Sequence, residues 1–134
     1  MSEALRPHPQ TSDDSLPYWQ GLCDHRLRLQ RCAGCGTFRH YPRPLCPQCH
    51  CFDVEWVDAA GDAQVHSWTV LHHAFHPAFR SLVPCVMVTA TLREGVRLLA
   101  PFRGDVGRLV PGLALRVEFE DISAELTLPV LVPA

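Results

Sequence analysis

The sequence contains no lysine: its 12 basic residues are all arginine, set against 14 acids, for a formal charge of -2. So slight an imbalance gives no long-range pull on nucleic acid or an anionic membrane. Long apolar runs are missing too. No stretch approaches the roughly 18 residues that would cross a bilayer, and the opening segment SEALRPHPQTSDDS has no apolar core of a signal peptide. A cytoplasmic protein without a membrane partner is therefore expected. The chain also lacks a GxxxxGK phosphate loop, a serine or cysteine in a nucleophile elbow, and an evident pair of acids. Nothing here recommends a stand-alone enzyme, and there is no solenoid repeat or low-complexity tract.

What is present is enough for one modest core or two small modules: 134 residues, of which 47% are hydrophobic. Residues 1–13 are polar and read as a flexible tail. In DDSLPYWQGLC, acids and a serine precede Leu16, Pro17, Tyr18, Trp19 and Leu22, the pattern of a short helix with a capped start. The next segment, RLRLQRC, alternates leucine with arginine as a lead-in strand would. These two pieces fill 14–28, a metal ribbon is expected over 29–58, and a β module over 59–134. That module shows five β-rich runs, AQVHSWTVLHH, VPCVMVTATL, VRLLAPF, ALRVEFEDI and ELTLPVLV, broken by Pro, Gly and charge. Five strands in this length fit a small OB-fold barrel, with a small sandwich as the rival.

The seven cysteines are an odd number, and four of them form RCAGCG at 31–36 and LCPQCH at 45–50. Each CxxC turn can aim two sulfurs at one ion, and two such turns complete a tetrahedral S4 shell. Cys32, Cys35, Cys46 and Cys49 are the expected ligands. Zinc in a structural role is the leading metal, with iron, and hence a small electron carrier, as the alternative. Cys51 is a poor fifth ligand, and Cys23 and Cys85 read as small core residues. Gly36 closes the first turn where positive φ is wanted; His50 holds the same place in the second. The group His66, His72, His73 and His76 invites a second metal site, but His72 and His73 are adjacent and would face opposite ways on a strand.

The order YWQGL, LRLQRCAGCG, YPRPLCPQC, VEWVDAAGDAQVHSWTVLHH, PAF and VTATLREGVRLLAPF resembles a family of acyl-CoA-associated proteins. Its members join a rubredoxin-like zinc ribbon to an OB-fold and were long filed as a domain of unknown function. The resemblance runs from about Leu16 to the C-terminus. It implies a mainly β fold: an N-terminal helix, a zinc ribbon and a five-stranded OB barrel. It also implies a non-catalytic accessory subunit of a thiolase-superfamily acyltransferase or aldolase, or of a hydratase acting on CoA esters. The four ribbon cysteines carry over as zinc ligands. An acyl-CoA surface would fall on Phe75, Phe79 and Arg80 and on the turn bearing Arg93 and Arg97, where Arg can grip phosphates and Phe can cover adenine. The helix bearing Tyr18 and Trp19 is a candidate docking element, unless it folds back on the chain's own barrel. A rival from another class is a single-stranded nucleic-acid module that uses Trp68, Phe75, Phe79, Phe102, Phe119 and scattered arginines.

Overall fold

The computed structural model describes residues 6–134, so the first five residues of the expected tail lie outside the described residues. Helix α1 spans Leu16–Cys23, with Pro17 in its first turn where a missing N–H costs nothing. The expected side-chain cap is absent. Ser15 is buried and its Oγ instead accepts from the Ser12 amide at 2.9 Å, while the Leu16 amide reaches back to the Ser12 carbonyl at 2.8 Å. A serine turn thus replaces the cap, satisfying early donors through the residue three before.

After the helix come β1 (Arg28–Cys32), β2 (Phe38–Arg39) and β3 (Val54–Asp58), which form a three-stranded antiparallel sheet in the order β2-β1-β3. Leu29 points into the core from β1 and Arg28 leans over Trp56, as the alternation predicts, but that alternation stops there: Gln30 is buried and Arg31, on Leu29's side of the strand, is exposed and leans over Phe38. One device was not legible in that pattern. Gln30 is 2% exposed, and its Oε1 accepts from Arg39 Nε and from the Arg43 amide, both at 2.8 Å. Arg39 in turn donates to the Arg43 carbonyl at 3.1 Å, so a buried polar node fixes the loop between the knuckles.

The second sheet holds β4 (Asp62–Leu71), β5 (Cys85–Leu92), β6 (Arg97–Pro101), β7 (Ala114–Asp121) and β8 (Thr127–Pro133), all antiparallel, in the order β6-β5-β4-β7-β8. The five expected runs are these five strands. β4 bends at a bulge between Val65 and Ser67, pairing with β7 at its start and with β5 along its length. The sheet then curls until β6 and β8 meet in a single parallel bridge, Phe102 to Leu131, with the Arg103 amide on the Leu131 carbonyl at 2.8 Å. That closure makes a partly open five-stranded barrel of the OB type and removes the sandwich as an alternative.

One hydrophobic core runs through both sheets. Tyr18 and Leu22 from α1 and Leu27 and Leu29 from the ribbon pack in the same cluster as Val65, Val88, Leu98, Leu115 and Leu131. At the far end of α1, His25 stacks on Phe119 with ring centroids 5.4 Å apart and lies 2.9 Å from Asp121. The helix therefore folds back on its own barrel, and the expected free docking helix is corrected: Tyr18 is 3% exposed, which leaves its ring committed to the core. Cys23, read as a core residue, lies at the surface where the helix ends.

Candidate functional site

Two places concentrate chemistry. The first is the pair of cysteine knuckles. In the first, the Cys32 amide bonds to the Thr37 carbonyl and the Gly36 amide to the Cys32 carbonyl, both at 2.9 Å. In the second, the Cys46 amide bonds to the Cys51 carbonyl and the His50 amide to the Cys46 carbonyl, both at 3.0 Å. The two turns are copies, and in each an amide two residues on approaches a sulfur: Gly34 to Cys32 at 3.3 Å and Gln48 to Cys46 at 3.4 Å. Gly36 has φ +76 and His50 has φ +64, so the histidine sits in the left-handed region that glycine occupies in its counterpart. His50→Gly is expected to stabilise the ribbon by about 1 kcal/mol, because it removes the Cβ penalty of that conformation; a rise in denaturation midpoint with unchanged metal content is the check.

The sulfurs of Cys32, Cys35, Cys46 and Cys49 all lie within 4.8 Å of one another, with Cys32 to Cys49 at 3.4 Å and Cys35 to Cys46 at 3.7 Å. Four sulfurs each about 2.3 Å from a tetrahedral zinc would be roughly 3.8 Å apart, so the cage is the size of the ion. Its electrostatics agree. The Cys35 amide draws the Cys32 thiol below its ordinary value, the Thr37 hydroxyl at 3.2 Å does so for Cys35, and the Cys49 amide does so for Cys46. Cys49 also receives a favourable backbone bond from Cys51, but the sulfur of Cys32, desolvation, and the sulfurs of Cys35 and Cys46 together push it up to about 12. Negative charge on three of the sulfurs opposes ionisation of the fourth, which a bound cation would relieve. With four ligands the tetrahedron is complete, which leaves no position for water or substrate. Cys51 stays out of the cage and approaches the Asp53 carbonyl at 4.0 Å.

The second place is an apolar groove of about 1010 Å³ between the barrel seam and the helix–ribbon layer. One wall is the outer side of β5 and β6, with Met87, Leu99 and Pro101. The other is the aromatic group of Tyr18, Trp19, His40 and Tyr41, and Leu128 and Pro129 of β8 form the floor. Tyr18 meets Trp19 edge-on at 5.1 Å and Tyr41 at 5.6 Å, and the Trp19 indole donates to the Tyr41 hydroxyl at 2.9 Å. Desolvation pushes the His40 imidazole down to about 4. Its unfolded value is near 6.5, so stability is fully present above that pH and is lost as pH falls toward 4, for about 3 kcal/mol in all. The stability difference between the chain and its His40→Gln variant should accordingly narrow by that amount on acidification, because both proteins lose zinc alike; a pH-independent difference would contradict it.

At one end the groove is roofed by the loop between β4 and β5, which contains a short 3₁₀ turn, Pro77–Leu82, capped by His76 Nδ1, which accepts from the Ala78 amide at 3.0 Å. Phe75 stands on this loop 88% exposed, with His73 edge-on at 4.6 Å. Phe79 lines the groove beneath the Arg6 guanidinium, 5.2 Å from the ring centroid. Of the residues expected to meet acyl-CoA, Phe75, Phe79 and Arg97 line the groove. Arg80 is exposed on the 3₁₀ turn outside the lining, and Arg93 faces Asp62 across 3.7 Å on the β5–β6 hairpin. The four histidines do not converge: His66 and His72 are exposed on or beside β4, His73 packs on Phe75 and His76 is a cap. The groove residues that sequence reasoning overlooked include Leu99 and Met87. Leu98-Leu99 carried a signal, since a strand cannot turn two successive leucines inward.

Comparison with known proteins bears on both places. Residues 19–55 match the family described as the ChsH2 rubredoxin-like zinc ribbon domain, and residues 56–120 match the ChsH2 C-terminal OB-fold domain. The chain is 41% identical over 133 residues to a probable enoyl-CoA hydratase alpha subunit of Thermomonospora curvata, covering 98% of this chain and 41% of that protein. It is 37% identical over 114 residues to the 3-oxo-4,17-pregnadiene-20-carboxyl-CoA hydratase alpha subunit of Mycobacterium tuberculosis, covering 84% and 36%. The chain thus spans about two fifths of the length of the curated relatives it matches. Among solved structures, one titled Ltp2-ChsH2(DUF35) aldolase superposes with TM-score 0.85 at 38% identity, covering 94% of this chain and 98% of that one. A DUF35-family protein of unknown function from Sulfolobus solfataricus shares the fold, with TM-score 0.64 at 17% identity, covering 92% and 87%. A helix, a four-cysteine ribbon and an OB barrel in this order, matched along nearly the whole length of a solved relative, show that the chain belongs to the ChsH2-type DUF35 family, which joins a rubredoxin-like zinc ribbon to a C-terminal OB-fold.

Proposed function

We propose that this chain is a cytoplasmic, non-catalytic subunit that docks on an acyl-CoA-processing enzyme, a thiolase-superfamily acyltransferase or aldolase or a CoA-ester hydratase, and helps it handle its substrate. The observation that carries the reading is the groove with its exposed apolar rim. Phe75 is 88% exposed and Leu99 62%, beside Leu71 and Leu82. Exposed apolar side chains gathered at one groove mark a binding surface far more often than idle surface. Around the groove, no nucleophile stands in hydrogen-bond contact with a base among the described residues, so chemistry falls to the partner. The names of the relatives, hydratase subunits and an aldolase, supply the class of partner.

Within that reading, the acyl-CoA contacts are assigned to Phe75, Phe79 and Arg97, with Arg80 and Arg93 at the periphery, the arginines taking phosphates and the rings covering the apolar arm. Zinc has a structural part only. The nucleic-acid alternative finds no support in the names of the relatives. In an OB-fold the face that reads single strands takes in the second and third strands and the loop between the first and second, and here β5 and β6 turn no ring outward while that loop carries Phe75 and Phe79. The test is co-purification of the tagged chain from its own cells with identification of stoichiometric partners, followed by titration of the complex with acyl-CoA. A thiolase-like or hydratase partner, together with CoA-ester affinity that falls in an Arg97→Ala complex, supports the proposal. A partner outside acyl-CoA chemistry overturns it.

A further inference from the structure

Among the described residues β6 is the last strand of its sheet, paired with β5 and, beyond its end, joined to β8 by the single bridge at Phe102. The pairing can be assigned residue by residue. The Phe102 amide bonds to the Val86 carbonyl and the Leu92 amide to the Val96 carbonyl, and antiparallel pairs alternate, so Val96, Leu98, Ala100 and Phe102 turn their backbone groups toward β5. Arg97, Leu99 and Pro101 turn theirs the other way, toward β8 across the barrel seam, where Phe102 is bridged to Leu131. Their N–H and C=O groups, Pro101 having only the latter, take no partner among the described residues. Water could serve them, and natural edges are commonly blunted by charge or proline for that reason. Here the blunting is incomplete: Pro101 removes one donor, but the middle position carries a leucine that is 62% exposed.

A row of open backbone donors and acceptors beside an apolar wall suits one kind of ligand, a polypeptide in extended conformation, which can satisfy the backbone and fill the wall with alternate side chains. Charge selects further. Arg6 and Arg97 line the groove without an acidic partner among the described residues, and the one acid in the lining, Glu120, is held by Arg103 at 3.1 Å. We infer that the open edge of β6 takes an extended apolar segment of the partner enzyme as an added strand, with an acidic side chain of that segment lying against Arg6. This rests on the partner-subunit reading above and gives it a mode of attachment.

Leu99→Pro isolates the idea, because it deletes the one open N–H at mid-strand while leaving every bond to β5 intact, as Pro101 already does two residues along. Leu99→Thr keeps that N–H and removes the apolar surface. The full zinc-loaded chain would be panned against a displayed library of random twelve-residue peptides. The expected winners alternate apolar residues and carry an acid, protect the Arg97 and Leu99 amides from hydrogen exchange, and bind Leu99→Pro at least tenfold more weakly while Leu99→Thr loses less. Peptides that leave the Leu99 amide unprotected, winners indifferent to Leu99→Pro in a variant whose melt is unchanged, or no winners at all would overturn the inference. So would protection of Leu99 by self-association in a concentration series, which would name a second copy as the occupant, or by an acyl-CoA alone. Co-purification of Leu99→Pro separates the two levels. Undiminished recovery of a thiolase-like or hydratase partner removes strand addition and leaves the subunit reading standing, whereas recovery only of partners outside acyl-CoA chemistry, by the unaltered chain, removes the subunit reading.

Discussion

The Cys35→Ser chain is expected to emerge with almost no bound zinc and with its ribbon unfolded. Serine presents a hard oxygen that is protonated at neutral pH, and the cage then has three sulfurs where the ion needs four. Binding of structural zinc in small domains is worth on the order of 10 kcal/mol or more, comparable to the entire stability of a domain this size. The loss should not stay local. Leu27 and Leu29 at the start of the ribbon and Tyr18 and Leu22 of α1 share the barrel's core cluster, so a melted ribbon uncovers the barrel's own apolar side. Elemental analysis should fall from one zinc per chain to near zero, with a melting transition that is broad and much lower. Cys51→Ser is the control: its sulfur lies outside the cage, so its effect should stay within about 0.5 kcal/mol. If Cys35→Ser kept its metal, or melted like the parent after losing it, the cage would not be what holds the ribbon.

Much of this architecture was legible because local rules and tertiary demands agree. Two CxxC pairs can do little except converge, and the strands from Ala63 onward carry β-branched alternation between clear breakers, so five runs became five strands. What could not be read is what depends on partners distant in sequence. Nothing in Gln30 or Arg39 says that they will meet underneath the ribbon loop, since both are polar and ordinarily exposed. The helix start was misread in kind, because Ser12 and Ser15 bond each other and neither caps the helix in the usual way. The groove is harder still. Its walls come from α1, the ribbon, β5, β6 and β8, and only closure of the barrel seam brings them together. The expected acyl-CoA residues therefore scatter: Phe75, Phe79 and Arg97 gather there, while Arg80 and Arg93 do not.

That gathering separates two aromatic residues that look alike in the sequence. Trp19 packs against the core and donates its indole N–H to Tyr41, so Trp19→Ala should lower the stability of the isolated chain by about 3 kcal/mol, as large-to-small changes at packed aromatic sites do. Phe75 is the opposite case. At 88% exposure it contributes almost nothing to the fold, and its removal should leave the melting temperature where it was. A ring held out in water by a loop capped at His76 is costly to keep there unless something covers it, and aromatic anchors at the centre of an interface commonly account for 2 kcal/mol or more of binding. Phe75→Ala should therefore weaken the complex with the proposed acyl-CoA-processing partner roughly thirtyfold while the free chain stays as stable as before. Calorimetric titration of the two purified components, set beside thermal melts of each variant alone, measures both quantities. A Phe75→Ala chain that binds its partner as tightly as the parent would move the interface away from this groove, and a Trp19→Ala chain that melts normally would return α1 to the role of a docking helix.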